Sequence, residues 1–141
     1  GVDGIRSMVP LLTSAPNLTT FSIGFNTNIN TECFSLLVEA LHARGSIQDL
    51  LLNSCNIDDI TALEHYPLPH LKILTLASNN IQSLSSLENY SNLKYLDVEG
   101  NKIGKEGCSS LATLLQKDGS RLSDLYLNST DMGDDGGRNC C

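Results

Sequence analysis

Tryptophan is absent from this chain of 141 residues, and aromatic residues make up only 5% of it. A core without large rings must be packed from aliphatic side chains. Similar aliphatics suit a repeating structure, because each layer can reuse the same packing. Positive charge is also scarce: nine Lys plus Arg stand against sixteen Asp plus Glu, a formal charge of -7. Such a chain repels the phosphates of nucleic acid and an anionic membrane surface, so neither is an expected partner. No run approaches the roughly 18 apolar residues of a membrane-crossing helix, and no basic-then-apolar leader opens the chain.

Catalytic signatures are missing as well. The glycines mark turns, and there is no Gly-rich phosphate loop, nucleophile elbow or Cys–His pairing. His42, His65 and His70 are too scattered to suggest a metal site. Asp58-Asp59 and Asp134-Asp135 fall in loops, where carboxylates cap or stay solvated, and no EF-hand spacing surrounds them or Asp131. The chain therefore reads as having no catalytic residue, metal or cofactor. The cysteines are five, an odd number, and match no zinc pattern. Cys33, Cys55 and Cys108 read as buried free thiols of a reducing compartment, and Cys140-Cys141 as an exposed, oxidisable pair. That points to a cytoplasmic setting. The sequons at Asn17, Asn89 and Asn128 carry the extracellular alternative.

What the chain does have is self-similarity. Five segments fit one template, Leu-x-x-Leu-x-Leu-x-x-Asn. They are Leu18, Phe21, Ile23, Asn26; Ile47, Leu50, Leu52, Cys55; Leu71, Leu74, Leu76, Asn79; Leu93, Leu96, Val98, Asn101; and Leu122, Leu125, Leu127, Thr130. A further apolar residue follows each, at Ile29, Ile57, Ile81, Ile103 and Met132. The middle apolar positions alternate, so they share one face of a short strand and point inward. The Asn lies where the chain leaves the strand, and its amide can satisfy backbone groups that would otherwise be buried unpaired. Cys55 and Thr130 can do only part of this.

The repeats begin 29, 24, 22 and 29 residues apart. The long ones leave room for a helix. One is expected over 31–44, with Thr31 as N-cap and Gly45 as stop, and another over 105–117, ending before Gly119. In the short repeats Ile60 and Leu63, then Leu84 and Leu87, suggest a turn or two, stopped in the first case by Pro67 and Pro69.

These motifs resemble the leucine-rich-repeat family over essentially the whole chain. The long repeats are similar to the ribonuclease-inhibitor type, as in Asn101-Lys-Ile-Gly-Lys-Glu-Gly107, and the short ones to the 22-residue type. The resemblance implies an α/β solenoid: a curved parallel sheet on the concave face, helices and short helical turns on the convex face. It also implies a non-catalytic protein-protein interaction module. The alternatives are a regulatory activator of a small GTPase or other enzyme, since the long repeats look like those of the Ran GTPase-activating protein, and a purely structural spacer.

The chain reads as a single domain over 1–141, with partial repeats at both ends. The first twelve residues read as a helix with no strand before it, and Gly133-Asp134-Asp135-Gly136 as the start of another long-repeat turn. Neither end shows the polar cap of a complete solenoid, so the chain reads as a piece of a longer array, or as a domain whose ends a partner or self-association covers. The first strand, 19–25, is expected to be an open edge.

In the expected solenoid, three columns of strand residues face outward on the concave side. They are Thr20, Asp49, Ile73, Tyr95, Asp124; Ser22, Leu51, Thr75, Asp97, Tyr126; and Gly24, Asn53, Ala77, Glu99, Asn128. Leu51, Ile73, Tyr95 and Tyr126 are apolar or aromatic, while Asp49, Asp97, Glu99 and Asp124 surround them. An apolar centre within a charged rim is the make-up of a protein-recognition patch. The candidate partner-binding residues are thus Leu51, Ile73, Thr75, Tyr95, Asp97, Glu99, Asp124 and Tyr126. The acidity calls for a protein that is basic at the contact.

Overall fold

The computed structural model describes residues 1–131. Met132, Gly133 to Gly136 and Cys140-Cys141, on which part of the sequence reading falls, lie outside the described residues. The chain opens with α1 (Val2–Thr13), followed by β1 (Thr20–Ser22), α2 (Thr31–Arg44), β2 (Asp49–Leu51), α3 (Ala62–His65), β3 (Ile73–Thr75), a 3-10 turn (Ser85–Leu87), β4 (Tyr95–Asp97), α4 (Gly104–Gln116) and β5 (Asp124–Tyr126). The strands form one parallel sheet in chain order, β1-β2-β3-β4-β5, with β1 at an edge as expected. This is the α/β solenoid that the repeats call for.

Each turn of the solenoid buries its own layer. Leu50, Leu52, Leu74, Leu76, Leu96 and Val98 are fully buried, and Ile57, Ile81 and Ile103, on the stretches that follow the strands, join the same core. In α2, Phe34, Leu37, Val38 and Leu41 complete the core, and α1 buries Ile5 and Leu12 in the same cluster. Each fully buried aliphatic or aromatic side chain contributes on the order of 1.5–3 kcal/mol. The layer of β5 is looser, with Leu122, Leu125 and Leu127 only partly buried.

The long repeats carry full helices and the short ones do not. α2 spans the residues expected of it, and α4 begins one residue earlier than expected. The cap of α2 corrects the sequence reading: Asn30, not Thr31, accepts the Cys33 N–H at 3.0 Å. Thr31 instead donates its hydroxyl to Asp58. At the other end Gly45 is left-handed, with φ of 69°, and returns its N–H to the Leu41 carbonyl. In the short repeats, four residues of helix (α3) and a three-residue 3-10 turn take the helix's place.

The asparagines do what the template demands. Asn79 is 6% exposed and Asn101 1%. Asn101 accepts the Ile81 N–H at 3.0 Å and donates to the Leu76 and Val98 carbonyls, both at 2.9 Å. Asn79 repeats the pattern one turn earlier, accepting from Ile57 and donating to Leu52 and Leu76. Cys55, in the same position, has only long sulfur contacts of 3.8 and 3.9 Å to backbone carbonyls. The preceding turn is one residue longer and satisfies the Ile29 N–H from its own Asn26 carbonyl, at 3.0 Å. Thr130 makes one local bond, to the Leu127 carbonyl.

The residue before each of these positions is left-handed in all five turns: Phe25, Ser54, Ser78, Gly100 and Ser129, with φ between 54° and 65°. The first four donate their N–H to the next strand's segment, at Asn53, Ala77, Glu99 and Asn128. The kink comes directly after this ladder bond and turns the Asn side chain back into the stack. A non-glycine residue there costs about 1–2 kcal/mol, which the ladder and the buried amides offset. Cys33 and Cys55 are buried free thiols as expected, whereas Cys108, also buried, is not free.

Candidate functional site

Strand register builds the candidate surface. Thr20, Asp49, Ile73, Tyr95 and Asp124 pair across successive strands, as do Ser22, Leu51, Thr75, Asp97 and Tyr126. The two columns predicted within the strands are therefore continuous rows across the sheet. They face away from the buried Leu and Val positions because side chains alternate along a strand. The third column continues the ladder beyond the strand ends. Gly24 is required there, since a Cβ would lie 2.9 Å from the Asn53 carbonyl oxygen.

Leu51, Ile73, Tyr95, Asp97 and Glu99 are half-buried, and Asp124 and Tyr126 are exposed. Thr75 departs from the expectation of an outward, accessible residue. It is only 8% exposed, and its hydroxyl oxygen is buried without a hydrogen-bond partner. It sits on the middle strand of five, a short side chain among longer neighbours on both sides.

The structure brings four predicted residues into one group. In register, Tyr95 stands beside Asp124 and Asp97 beside Tyr126. The two phenol rings meet along one diagonal of this square, 5.2 Å between centroids and tilted by 37°. The two aspartates occupy the other diagonal. Burial, then the neighbouring Tyr126, Asp97 and Asp124, raise the Tyr95 phenol above its ordinary value.

The carboxylates are held by neutral donors. Asp49 accepts from the Thr20 hydroxyl at 2.9 Å, Asp97 from the Glu99 N–H at 3.1 Å, Asp124 from the Ser123 hydroxyl at 2.7 Å, and Glu99 from the Asn128 amide. Among the described residues the one ion pair joins Arg6 and Glu32, at 3.6 Å and away from this face. Sequence reasoning missed the row at the strand entrances, Gln48, Lys72, Lys94 and Ser123. There Lys72 Nζ donates to Gln48 Oε1 at 3.2 Å. Its signal was in the sequence: one template position, directly after the first Leu, carries lysine twice running.

Other groups singled out from sequence have local roles. Asp59 accepts both the N–H and the hydroxyl of Thr61 at 2.7 Å, which with nearby His65 holds its carboxyl below the usual range. His42 reaches the Pro67 carbonyl with Nδ1 at 2.7 Å, and its ring lies 6.0 Å from that of Tyr66. No group of three or more His, Cys, Asp or Glu among the described residues is placed to hold a metal ion. No described helix is long and apolar enough to cross a membrane. A groove of about 620 Å³ lies beside α3 and the 3-10 turn, lined by Leu63, Pro67, Pro69, Glu88 and Tyr90 among others. The Tyr90 hydroxyl there is already used, donating to the Leu63 carbonyl and accepting the Leu68 N–H.

Residues 45–103 match the family described as leucine rich repeat. A leucine-rich repeat-containing protein of Schizosaccharomyces pombe is 39% identical over 70 residues, covering 48% of this chain and 11% of that protein. Toll-like receptor 4 of Gorilla gorilla gorilla is 43% identical over 74 residues, covering 48% of this chain and 9% of the receptor. Human NACHT, LRR and PYD domains-containing protein 14 is 29% identical over 112 residues, covering 72% of this chain and 10% of that protein. The chain thus spans about a tenth of the length of these relatives.

Proposed function

The chain is a leucine-rich-repeat solenoid, and from that premise we propose that it is a non-catalytic protein-interaction module holding a partner protein across the concave face of its sheet. The observation that carries this reading is the make-up of that face. Leu51, Ile73, Tyr95 and Tyr126 stand on the open side of the sheet in continuous rows, among Asp49, Asp97, Glu99 and Asp124. Ring and aliphatic surface gives contact area that desolvates well, and tyrosine adds a polar end. Carboxylates held by neutral donors, with no cationic partner among the described residues, favour a partner that is basic where it touches and speed its approach.

The family's common use as a protein-interaction module supports the reading. The rest of the described surface offers less. In the groove beside α3 the Tyr90 hydroxyl is already used by the Leu63 carbonyl and the Leu68 N–H, and the carboxylate pair Asp58-Asp59 is taken up by Thr31 and Thr61.

Affinity capture from a lysate tests it, with the wild-type chain beside a Tyr95→Ala, Asp97→Lys, Tyr126→Ala variant whose fold is checked by circular dichroism. A protein retained by the wild type and lost with the folded variant is the expected result. Equal recovery by both would remove the concave face from the account.

A further inference from the structure

A chain with acidic residues on one face needs more than charge to define a ligand, and the square formed by Tyr95, Asp97, Asp124 and Tyr126 supplies more. Its two rings touch along one diagonal, 5.2 Å apart, and its two carboxylates flank them on the other. Ring faces carry negative potential and attract cations within about 6 Å. Two anions on the diagonal between adjacent strands, roughly 7–8 Å apart at the backbone, lie within reach of the same planar, forked cation. Neither carboxylate has a cationic partner within the described residues. Asp97 uses one oxygen on the Glu99 N–H and Asp124 one on the Ser123 hydroxyl, so each keeps an oxygen for a further donor.

A second, independent feature lies beside the square. Thr75 pairs in register with Asp97, is 8% exposed, and its hydroxyl is the one buried side-chain polar group among the described residues without a partner. A buried group left unpaired costs about 1–3 kcal/mol. This unmet hydroxyl adjoins Asp97, the corner of the square on the neighbouring strand β4.

We infer that this square is a seat for an arginine side chain of the partner protein, a reading that rests on the concave face being the binding surface. The planar guanidinium stacks on the phenol rings and its fork donates to Asp97 and Asp124, whose remaining oxygens have no cationic partner among the described residues. Lysine offers a compact charge without the plane or the fork, so it satisfies the square less well. The low ionic compensation of the site makes the contact strongly dependent on charge, and therefore on salt.

The test is a nuclear magnetic resonance titration of the whole chain with acetyl-Ala-Arg-Ala-amide and with matched lysine and citrulline peptides. Citrulline keeps the shape and removes the charge. The arginine peptide is expected to shift resonances of residues 73–75, 95–99 and 124–128 in a saturable way, with citrulline giving none. In an Asp97→Asn, Asp124→Asn variant of unchanged circular dichroism, affinity should fall about tenfold or more. Equal shifts from citrulline, shifts spread over the convex side, or an unchanged response in the variant would overturn the seat. An equal response to lysine would overturn its assignment to arginine. The two readings fail separately. Should a captured partner be lost with Leu51→Arg yet retained by Asp97→Asn, Asp124→Asn, the concave face stands and the arginine seat falls.

Discussion

Replacing Asn101 with alanine tests the physical logic of the repeat most sharply. The side chain is 1% exposed, accepts the Ile81 N–H at 3.0 Å, and donates to the Leu76 and Val98 carbonyls at 2.9 Å. The Leu76 carbonyl keeps a second donor, the Asn79 amide, also at 2.9 Å. Alanine therefore strands two buried groups, the Ile81 N–H and the Val98 carbonyl. At about 1–3 kcal/mol for each buried polar group left unmade, the loss is about 2–6 kcal/mol. That is a large part of the 5–15 kcal/mol, in round terms, that holds a small domain together. Asn26→Ala is the matched control. Asn26 occupies the same template position but is exposed, and holds the Ile23 and Gly24 carbonyls at 2.8 and 3.1 Å. Water replaces those bonds, so the cost there is about 0.5–1 kcal/mol. Urea unfolding followed by circular dichroism at 222 nm, a standard helix wavelength, gives both values on one scale. Equal losses at the two positions, or a loss below about 1 kcal/mol for Asn101→Ala, would refute the claim that burial of the bonded groups, not the residue type, sets the strength of each turn.

Three further outcomes follow from particular residues. Thr75→Val keeps the shape and removes an unpartnered buried hydroxyl, so the unfolding midpoint should hold or rise by up to about 1–2 kcal/mol of stability; a loss above about 1 kcal/mol would reveal a partner for that oxygen. Gly100→Ala places a Cβ 3.3 Å from the Ser78 side chain at a φ of 65° and should cost about 1–2 kcal/mol, while Ser78→Gly, at the equivalent position of the previous turn, should be neutral or slightly stabilising by thermal unfolding. Burial pushes the Tyr90 phenol from 10.0 up to about 12. Below the first value both states hold the proton and its contribution is full; between the two the unfolded chain ionises first, and stability falls as pH rises. An alkaline denaturation series should show a shallower fall in Tyr90→Phe, and an identical fall would count against that burial.

The strands were legible because Leu and Asn recur at fixed offsets, and a recurring offset survives without knowledge of its neighbours. The same periodicity placed α2 at its observed bounds. Its cap was misread because Asn30 and Thr31 are both good caps, and the choice depends on Thr31 finding Asp58 twenty-seven residues away. The rows of the candidate site were legible for the same reason as the strands, since register follows the template. What sequence could not convey was cover. Thr75 belongs to an outward row yet is buried, which depends on the reach of side chains from adjacent strands. Nor did the columns announce the Tyr95–Tyr126 contact, because the two residues stand in different rows and meet only on the diagonal. The state of Cys108 was equally invisible, since a thiol's partner is set by the fold and not by spacing.

The measurement that bears most directly on the central claim is amide hydrogen exchange on the chain with and without a captured partner. The account predicts added protection in four segments, 49–53, 73–77, 95–99 and 124–128, which alternate along the sequence and coincide only on the concave face. Protection confined to α2, α4 or the groove beside α3, with those strands unchanged, would contradict it.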